Sequence, residues 1–481
     1  MIACNHFQSF GREALADALT IIVDIGKTLS KVSLWSADGR MLDRKAQPNA
    51  PIVVDGLRRL DLPGITAFVE ECLASHAGLL VEAIIPVSHG AAIVALDGDR
   101  LAFPPLDYEQ ALPEDVLADY RQQRGDFAET GSPALPDGLN FGAQLHWLER
   151  LHPEIMARAT LMPLAQYWAW HLTGMAASEV SSLGCHSDLW SPSAASFSAL
   201  AVRRGWDRRF APLAHAGAVV GTLKAEIAAR TGLPETVQVH AGLHDSNAAL
   251  MAARGFPAIA GQEATLLSTG TWFIAMRLPA TPVDCAALPE ARDCLVNVDP
   301  DGHPVPSARF MGGREIERII EDAAHQIDIK ADQAALLAAV PNLLDQGIIL
   351  LPTLTPGCGP FPEGEARWIG TPADWTEKRA VAGLYAALVA DASLDLIGAK
   401  DRLLIEGRFA QADIFVRALA SLRPGTEVYT AHAETDVAFG ALRLRYPALQ
   451  AAGDLDRVAP LEGPLDAYRA QWRTHIGGGT G

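Results

Sequence analysis

The sequence predicts an α/β protein made of two similar domains that face each other across a cleft. With 481 residues the chain is too long for one core and long enough for two domains of ordinary size. A strand–glycine-turn–strand unit occurs twice. It runs through Thr20–Ile25, the turn Gly26-Lys27-Thr28 and Lys31–Trp35, and returns half the chain later as Glu263–Ser268, Thr269-Gly270-Thr271 and Trp272–Met276. Glycine hairpins are common, so the repeat alone leaves coincidence open. The third observation is the stretch TVQVHAGLHDSNAA, Thr236 to Ala249, an alternating strand that empties into a helix and delivers His244 and Asp245 to its start. Open α/β sheets put their chemistry at such strand-to-helix junctions, where backbone N–H groups and the positive dipole end meet. Asp245 also has a plain reading there as an ordinary helix N-cap.

The elements follow in order. After the first hairpin comes a third short strand at Met41–Asp43, a helix near Gly64–Ala77, and a buried strand Glu82–Val87 ending at Ser88-His89-Gly90. Proline, glycine and polar residues crowd Arg121–Asn140, which reads as a long surface connection. Helical periodicity returns at Gln144–Leu148 and Leu164–Leu172. The second half adds a strand at Gly347–Leu351, a long amphipathic helix near Val381–Ile397, a strand at Arg402–Ile405, and helices at Ala410–Ser421 and Thr435–Tyr446.

Composition narrows the function. Net charge is −18, from 39 basic and 57 acidic residues, which argues against a nucleic-acid binder that relies on a broad basic face. Acidity does not exclude a phosphorylated ligand, because glycine turns can hold phosphate with backbone N–H groups. Cys4, Cys72, Cys185, Cys285, Cys294 and Cys358 are scattered, with no C-x-x-C pair, and read as reduced structural thiols. The N-terminal twenty residues lack the basic start and continuous apolar core of a signal peptide, and no apolar run reaches eighteen residues. The expectation is a soluble cytoplasmic protein without a membrane partner.

Gly26-Lys27-Thr28 is not the end of a P-loop, since the glycine required five residues before the Gly-Lys is Ile21. A tight turn can nonetheless aim N–H groups and the Thr28 hydroxyl at phosphate, and Thr269-Gly270-Thr271 carries the same equipment. Asp24, at the end of the first strand, suits Mg²⁺ held through water. His89 and His244 each read as core histidines as easily as functional ones, but both stand at strand ends in the same half. The motifs H-E-x-x-H, G-x-S-x-G and G-x-G-x-x-G are absent.

Taken together these segments resemble the FGGY family of sugar kinases, with two ribonuclease-H-like domains of the actin and hexokinase type and an interdomain cleft. The resemblance spans about Thr20 to Tyr446. Asp24-Ile25-Gly26-Lys27-Thr28 matches the first phosphate motif and Leu267–Trp272 the second. Leu172-Thr173-Gly174 followed by Glu179, and Pro352 followed by Gly357 and Ala366-Arg367, are similar to further family segments. His244-Asp245, in place of the commoner Asp-Gln, resembles the rhamnulokinase and fuculokinase side.

The resemblance implies a sugar-binding domain over residues 1–250 and a nucleotide-binding domain over 251–481. It implies Asp245 as the catalytic base, with His89, Gly90, His244, Ser246 and Asn297 at the sugar. Gly26, Lys27, Thr28, Gly270, Thr271, Gly407, Arg408 and Gln411 would hold ATP, and Asp24 and Asp245 the Mg²⁺. The implied partner is a small sugar such as rhamnulose or fuculose, and a homodimer is compatible with it. The helix dipole would keep Asp245 ionised without a large pKa shift.

Two departures qualify this. The adenosine segment, a Gly-Gly-Gly run in the family, reads Glu406-Gly407-Arg408 here, so two Cβ atoms must fit where backbone usually approaches the nucleotide. The sugar-site turn is Ser88-His89-Gly90, where rhamnulokinases carry a tryptophan before the glycine. The alternatives are a kinase for a ketopentose or polyol, an actin-like or chaperone-like ATPase with no sugar substrate, and a sugar binder without catalysis.

Overall fold

The structure, a computed structural model, describes residues 18–321, 326–431 and 436–477. The stretch read for a targeting signal over residues 1–17, with Cys4 in it, lies outside the described residues, as does Thr435 at the start of a predicted helix. Each half is built on a seven-stranded sheet. The first contains β1 (Leu19–Ile25), β2 (Leu29–Ser36), β3 (Met41–Pro48), β4 (Val81–Ser88), β5 (Val219–Thr222), β6 (Gln238–His240) and β7 (Leu243–His244). The second contains β8 (Ala264–Thr269), β9 (Phe273–Leu278), β10 (Cys294–Val298), β11 (Pro304–Phe310), β12 (Arg402–Gly407), β13 (Glu427–Ala431) and β14 (Leu455–Arg457).

The two sheets repeat one plan. In the first, β3, β2 and β1 form an antiparallel meander, and β4 and then β6 join β1 in parallel. In the second, β11, β9 and β8 form the meander, and β12 and β13 join in parallel. The duplication inferred from the two glycine hairpins is therefore real, and the hairpins occupy equivalent corners of the two sheets.

The helix α2 (Asp245–Ala253) follows directly from β7 and lies between the halves. Its Ala248 and Ala252 pack with Ile22, Ile85 and Val87 of the first sheet, while Leu250 and Ala253 pack with Leu266, Met276 and Leu404 of the second. A helix apolar on opposite faces is what two sheets sharing one helix require. A later helix, α6 (Val437–Arg445), crosses back from the second half and places Ala438, Phe439 and Leu442 in the first-sheet cluster. It comes so close that a Cβ on Gly440 would stand 1.8 Å from the Ala248 carbonyl oxygen.

Two expectations need correction. Arg121–Asn140 is not a surface loop: a helix over Glu114–Gln123 and a turn over Phe127–Thr130 lead into buried Ser132, Leu135 and Asn140. Buried backbone needs partners, and the Asn140 side chain supplies them, accepting from Leu135 N–H and donating to the Pro133 and His186 carbonyls. The long helix, α4 (Trp375–Leu396), is buried on nearly all sides over Ala380–Leu394 rather than amphipathic, because it is enclosed by α5 (Asp413–Leu422), neighbouring helices and the second sheet. Cys72, Cys185, Cys285, Cys294 and Cys358 are free thiols, as expected. Among the described residues no helix is long and apolar enough to cross a membrane.

Candidate active site

The end of β1 with its hairpin and the start of α2 on one side, and the ends of β8 and β12 on the other, line a cleft of about 450 Å³, whose lining does not include His89, Gly90 or His244. Asp24, Gly26, Thr28 and Lys31 line one wall, Thr269, Gly270, Trp272 and Gly407 the other, and Asp245 and Ser246 lie between. In both hairpins the glycine N–H closes the turn, on Leu29 O and Trp272 O at 3.0 Å each, so these two N–H groups are committed within the protein. Gly407 is held in a left-handed conformation (φ 82°), and a Cβ there would stand 2.2 Å from the Thr269 carbonyl oxygen. The same tightness recurs at Gly313, in the first turn of α3 (Gly312–Ile320): a Cβ would come 2.1 Å from the Gly270 carbonyl. Two glycines, Gly407 and Gly313, thus let backbone from β8, β12 and α3 crowd around one wall of the cleft.

Asp245 is the first residue of α2, and His244, not Asp245, holds the N-cap position, without a side-chain cap. The break between β6 and β7 that aims them is set by Gly242 (φ 78°), where a Cβ would lie 2.1 Å from the Pro86 carbonyl. Asp245 Oδ1 accepts from Ser246 N–H at 2.6 Å. The expected unperturbed carboxylate is not what burial produces. Desolvation pushes the Asp245 pKa up and outweighs His89, the Ser246 bonds and Lys31, which pull it down. Asp24 is likewise raised, to about 6, chiefly by burial and further by the Asp245 and Asp436 charges, against the opposing pull of Lys31 at 3.4 Å.

Beside Asp245 stands a group of neutral imidazoles. Burial depresses His244 to about 4, so its 3.1 Å approach to Asp245 Oδ1 is the contact of a neutral ring rather than an ion pair. With Asn247 Nδ2 facing His244 Nδ1 at 3.4 Å, the network assigns the proton to Nε2, which faces Cys185 Sγ at 3.4 Å. His89 is also held down by burial, donates from Nδ1 to Gly90 O at 2.6 Å, and meets the Tyr108 ring edge-on. Gly90 leaves room for this group, since a Cβ would come 3.0 Å from both Cys185 Sγ and His244 Nε2.

Not every predicted residue reaches the cleft wall. The Lys27 ammonium turns away to Asp107 and Glu109 and covers the Tyr108 ring. Arg408 is held by Asp328 through two bonds of 2.7 and 3.1 Å. Thr271 and Gln411 are exposed. Asn297 is buried on β10, donates to Ser307 Oγ, and leaves its Oδ1 without a hydrogen-bond partner. Sequence reasoning missed Lys31, Gly313 and Trp272, the last covered by the Arg309 guanidinium, itself bonded to Asp293 at 2.7 Å. The Gly312-Gly313 pair before a periodic run was the readable signal for that wall.

The donors fit a cation bridging to an anion. Asp24 is buried and Asp245 half-buried, and the Asp245 charge raises the proton affinity of Asp24, a repulsion that a divalent ion relieves. At Gly407 and Gly313 a Cβ would strike the Thr269 and Gly270 carbonyls, so backbone rather than side chain forms the wall there. The one cluster of three ligand-type groups among the described residues, Asp299, Asp301 and His303, lies away from the cleft and is largely exposed.

Two family models match the chain: the N-terminal domain of the FGGY family of carbohydrate kinases over residues 127–252, and the FGGY carbohydrate kinase C-terminal domain over 261–453. A solved carbohydrate kinase from Novosphingobium aromaticivorans is 62% identical, with 97% of this chain and 100% of that one covered and a TM-score of 0.95. A xylulose kinase from Rhodospirillum rubrum (18% identity, 96% and 98% covered, TM-score 0.77) and a gluconate kinase from Lactobacillus acidophilus (15%, 95% and 96%, 0.76) share the fold. No curated protein matches the chain significantly. With both halves matched and a carbohydrate kinase 62% identical over nearly the whole chain, the chain belongs to the FGGY family of carbohydrate kinases and is a phosphotransferase with an alcohol group as acceptor.

Proposed function

We propose that the enzyme transfers the γ-phosphoryl of ATP to a hydroxyl of a small neutral sugar, a ketose of the rhamnulose or fuculose kind, with Asp245 as general base. The observation that carries this reading is the Asp245 carboxylate, half-buried at the first turn of α2, between the two glycine hairpins and 3.1 Å from neutral His244. The sugar hydroxyl attacks the γ-phosphorus as the bond to the departing ADP oxygen breaks, and its proton passes to the Asp245 carboxylate. Ser246, donating from its N–H to Asp245 Oδ1, keeps that carboxylate aimed, and the imidazoles of His89 and His244 with Gly90 and Ser246 shape the sugar subsite. Asp24 and Asp245 would hold Mg²⁺, which when bound supplies charge neutralisation for the phosphates. Residues 1–250 carry the sugar side and 251–481 the nucleotide side; Thr28 from the first half, and Gly270, Gly407 and, at the adenosine end, Arg408 and Gln411 from the second, take ATP.

Charge favours a neutral acceptor over a sugar acid. Lys27 is paired with Asp107, and Arg309 with Asp293, so the cations nearest the imidazole group are already neutralised. The test is ADP release with Mg·ATP across rhamnulose, fuculose, xylulose, ribulose, glycerol and gluconate. The account expects the largest kcat/KM for a neutral ketose and none for gluconate. ATP hydrolysis indifferent to every sugar, or gluconate as the best acceptor, would overturn it.

A further inference from the structure

Glu179 has no part in the reading above, yet it is a carboxylate with no exposed surface, beside the machinery. It opens the short helix α1 (Val180–Leu183) and accepts four hydrogen bonds, from the N–H groups of Ser181 (2.9 Å) and Ser182 (3.1 Å) and from their hydroxyls (2.6 and 3.3 Å). Burial raises its pKa to about 7 against the pull of those bonds. Ser181 Oγ, with its proton given to Glu179, has its lone pairs turned outward, and one accepts the backbone N–H of His244 at 3.2 Å. That N–H belongs to the residue immediately before Asp245.

The helix α2 starts without a side-chain cap, and the Asp245 carboxylate bends back onto its own neighbour, Ser246. Its direction therefore depends on how the backbone at His244 is held. The short helix is itself fixed against the second sheet, since a Cβ on Gly184, the residue after it, would come 2.4 Å from Val298 Cγ2 of β10. Glu179, Ser181 and His244 form one line of hydrogen bonds from a helix wedged between the halves to the residue that carries the base.

We propose that Glu179 is a positioning residue for phosphoryl transfer, acting through Ser181 Oγ to fix the backbone of His244 and so the aim of the Asp245 carboxylate. This rests on Asp245 being the base. The competing role is a helix cap that stabilises the fold and leaves turnover alone. Misplacement of a reacting group by about 1 Å can cost about a hundredfold in rate, and residues in one hydrogen-bond line act non-additively.

The test uses Glu179→Gln, Ser181→Ala and the double variant of the full chain, with the ketose or polyol turned over fastest in the panel above. Glu179→Gln keeps the shape but turns an amide N–H toward donors, and Ser181→Ala removes only the link. Each should lower kcat by about tenfold or more with sugar and ATP KM within about threefold. The double variant should be no slower than the slower single. If Glu179→Gln does not fold, Ser181→Ala and its kcat-against-KM split still decide. A Ser181→Ala enzyme with kcat within about twofold of wild type, or losses that multiply in the double variant, would overturn the proposal. Asp245→Asn, assayed beside them, separates the failures. If it is silent the base reading fails and this proposal with it. If it loses turnover while Ser181→Ala does not, only the positioning role fails.

Discussion

The glycine at the end of β12 makes a prediction whose size follows from the geometry. In Gly407→Ala the new Cβ would sit 2.2 Å from the Thr269 carbonyl oxygen, where ordinary contact begins at 3.4 Å. Thr269 and Gly407 are paired in parallel β8 and β12, so relief requires the two strand ends to part by about 1 Å. That movement breaks the bonds that Thr269 Oγ1 makes to Glu406 O and accepts from Phe409 N–H. An alanine held at left-handed φ costs about 1–2 kcal/mol and each lost hydrogen bond about 1 kcal/mol, a total of roughly 3–4 kcal/mol. For a domain of this size that is a fall in Tm of roughly 6–16 °C. Gly270→Ala is the contrast. Its backbone is not left-handed, and the Cβ would meet nothing nearer than Trp272 O at 3.9 Å. It should melt within about 0.5 kcal/mol of wild type, yet bind ATP more weakly, because only the phosphate would meet the added methyl. Tm and the calorimetric Kd for ATP measure both. The reasoning is wrong if Gly407→Ala matches wild type in melting and ATP affinity, or if Gly270→Ala loses stability without losing ATP.

Two further outcomes follow. Asp24 is raised from the ordinary 3.8 to about 6, so the folded protein holds that proton more tightly than the unfolded chain, and the ionised carboxylate destabilises above pH 6. Ligand-free Asp24→Asn should therefore be more stable than wild type at pH 7.5 by roughly 1–3 kcal/mol, with the gap closing as pH falls from 6 toward 4, and a constant or reversed gap in denaturant unfolding would refute this. Arg408→Ala should weaken nucleotide binding by about two- to thirtyfold or change the ATP/GTP ratio, since the guanidinium pinned edge-on by Asp328 leaves a face for the base, and it should leave sugar KM alone. A change confined to the sugar constant would mean the segment does not touch nucleotide.

The duplicated sheet was legible because strand, glycine turn and returning strand are written in contiguous residues around Gly26 and Gly270. The His244-Asp245 junction was legible for the same reason: a strand and a helix start meet within ten residues. What stayed hidden depends on burial or on contacts distant in sequence. The raised pKa of Asp245 needs the whole surrounding shell, whereas the helix-end rule led to a carboxylate ionised without a large shift. The turn of Lys27 away from the cleft needs Asp107, eighty residues on. Arg121–Asn140 read as surface because its composition is polar, yet Asn140 spends that polarity satisfying buried backbone. The helix α4 lost its expected exposed face because neighbours on all sides cover it, which its own periodicity cannot reveal.

The central claim is that Asp245 takes the proton from the sugar hydroxyl, and kcat of Asp245→Asn tests it most directly. Asparagine keeps the size of the side chain and an oxygen for Ser246 N–H, so Tm should hold. General-base catalysis is worth about 10²–10⁴-fold. The account predicts that kcat on the best ketose falls by that factor while sugar binding and Tm stay near wild type. Turnover within about threefold of wild type, in a variant that melts normally, would contradict it.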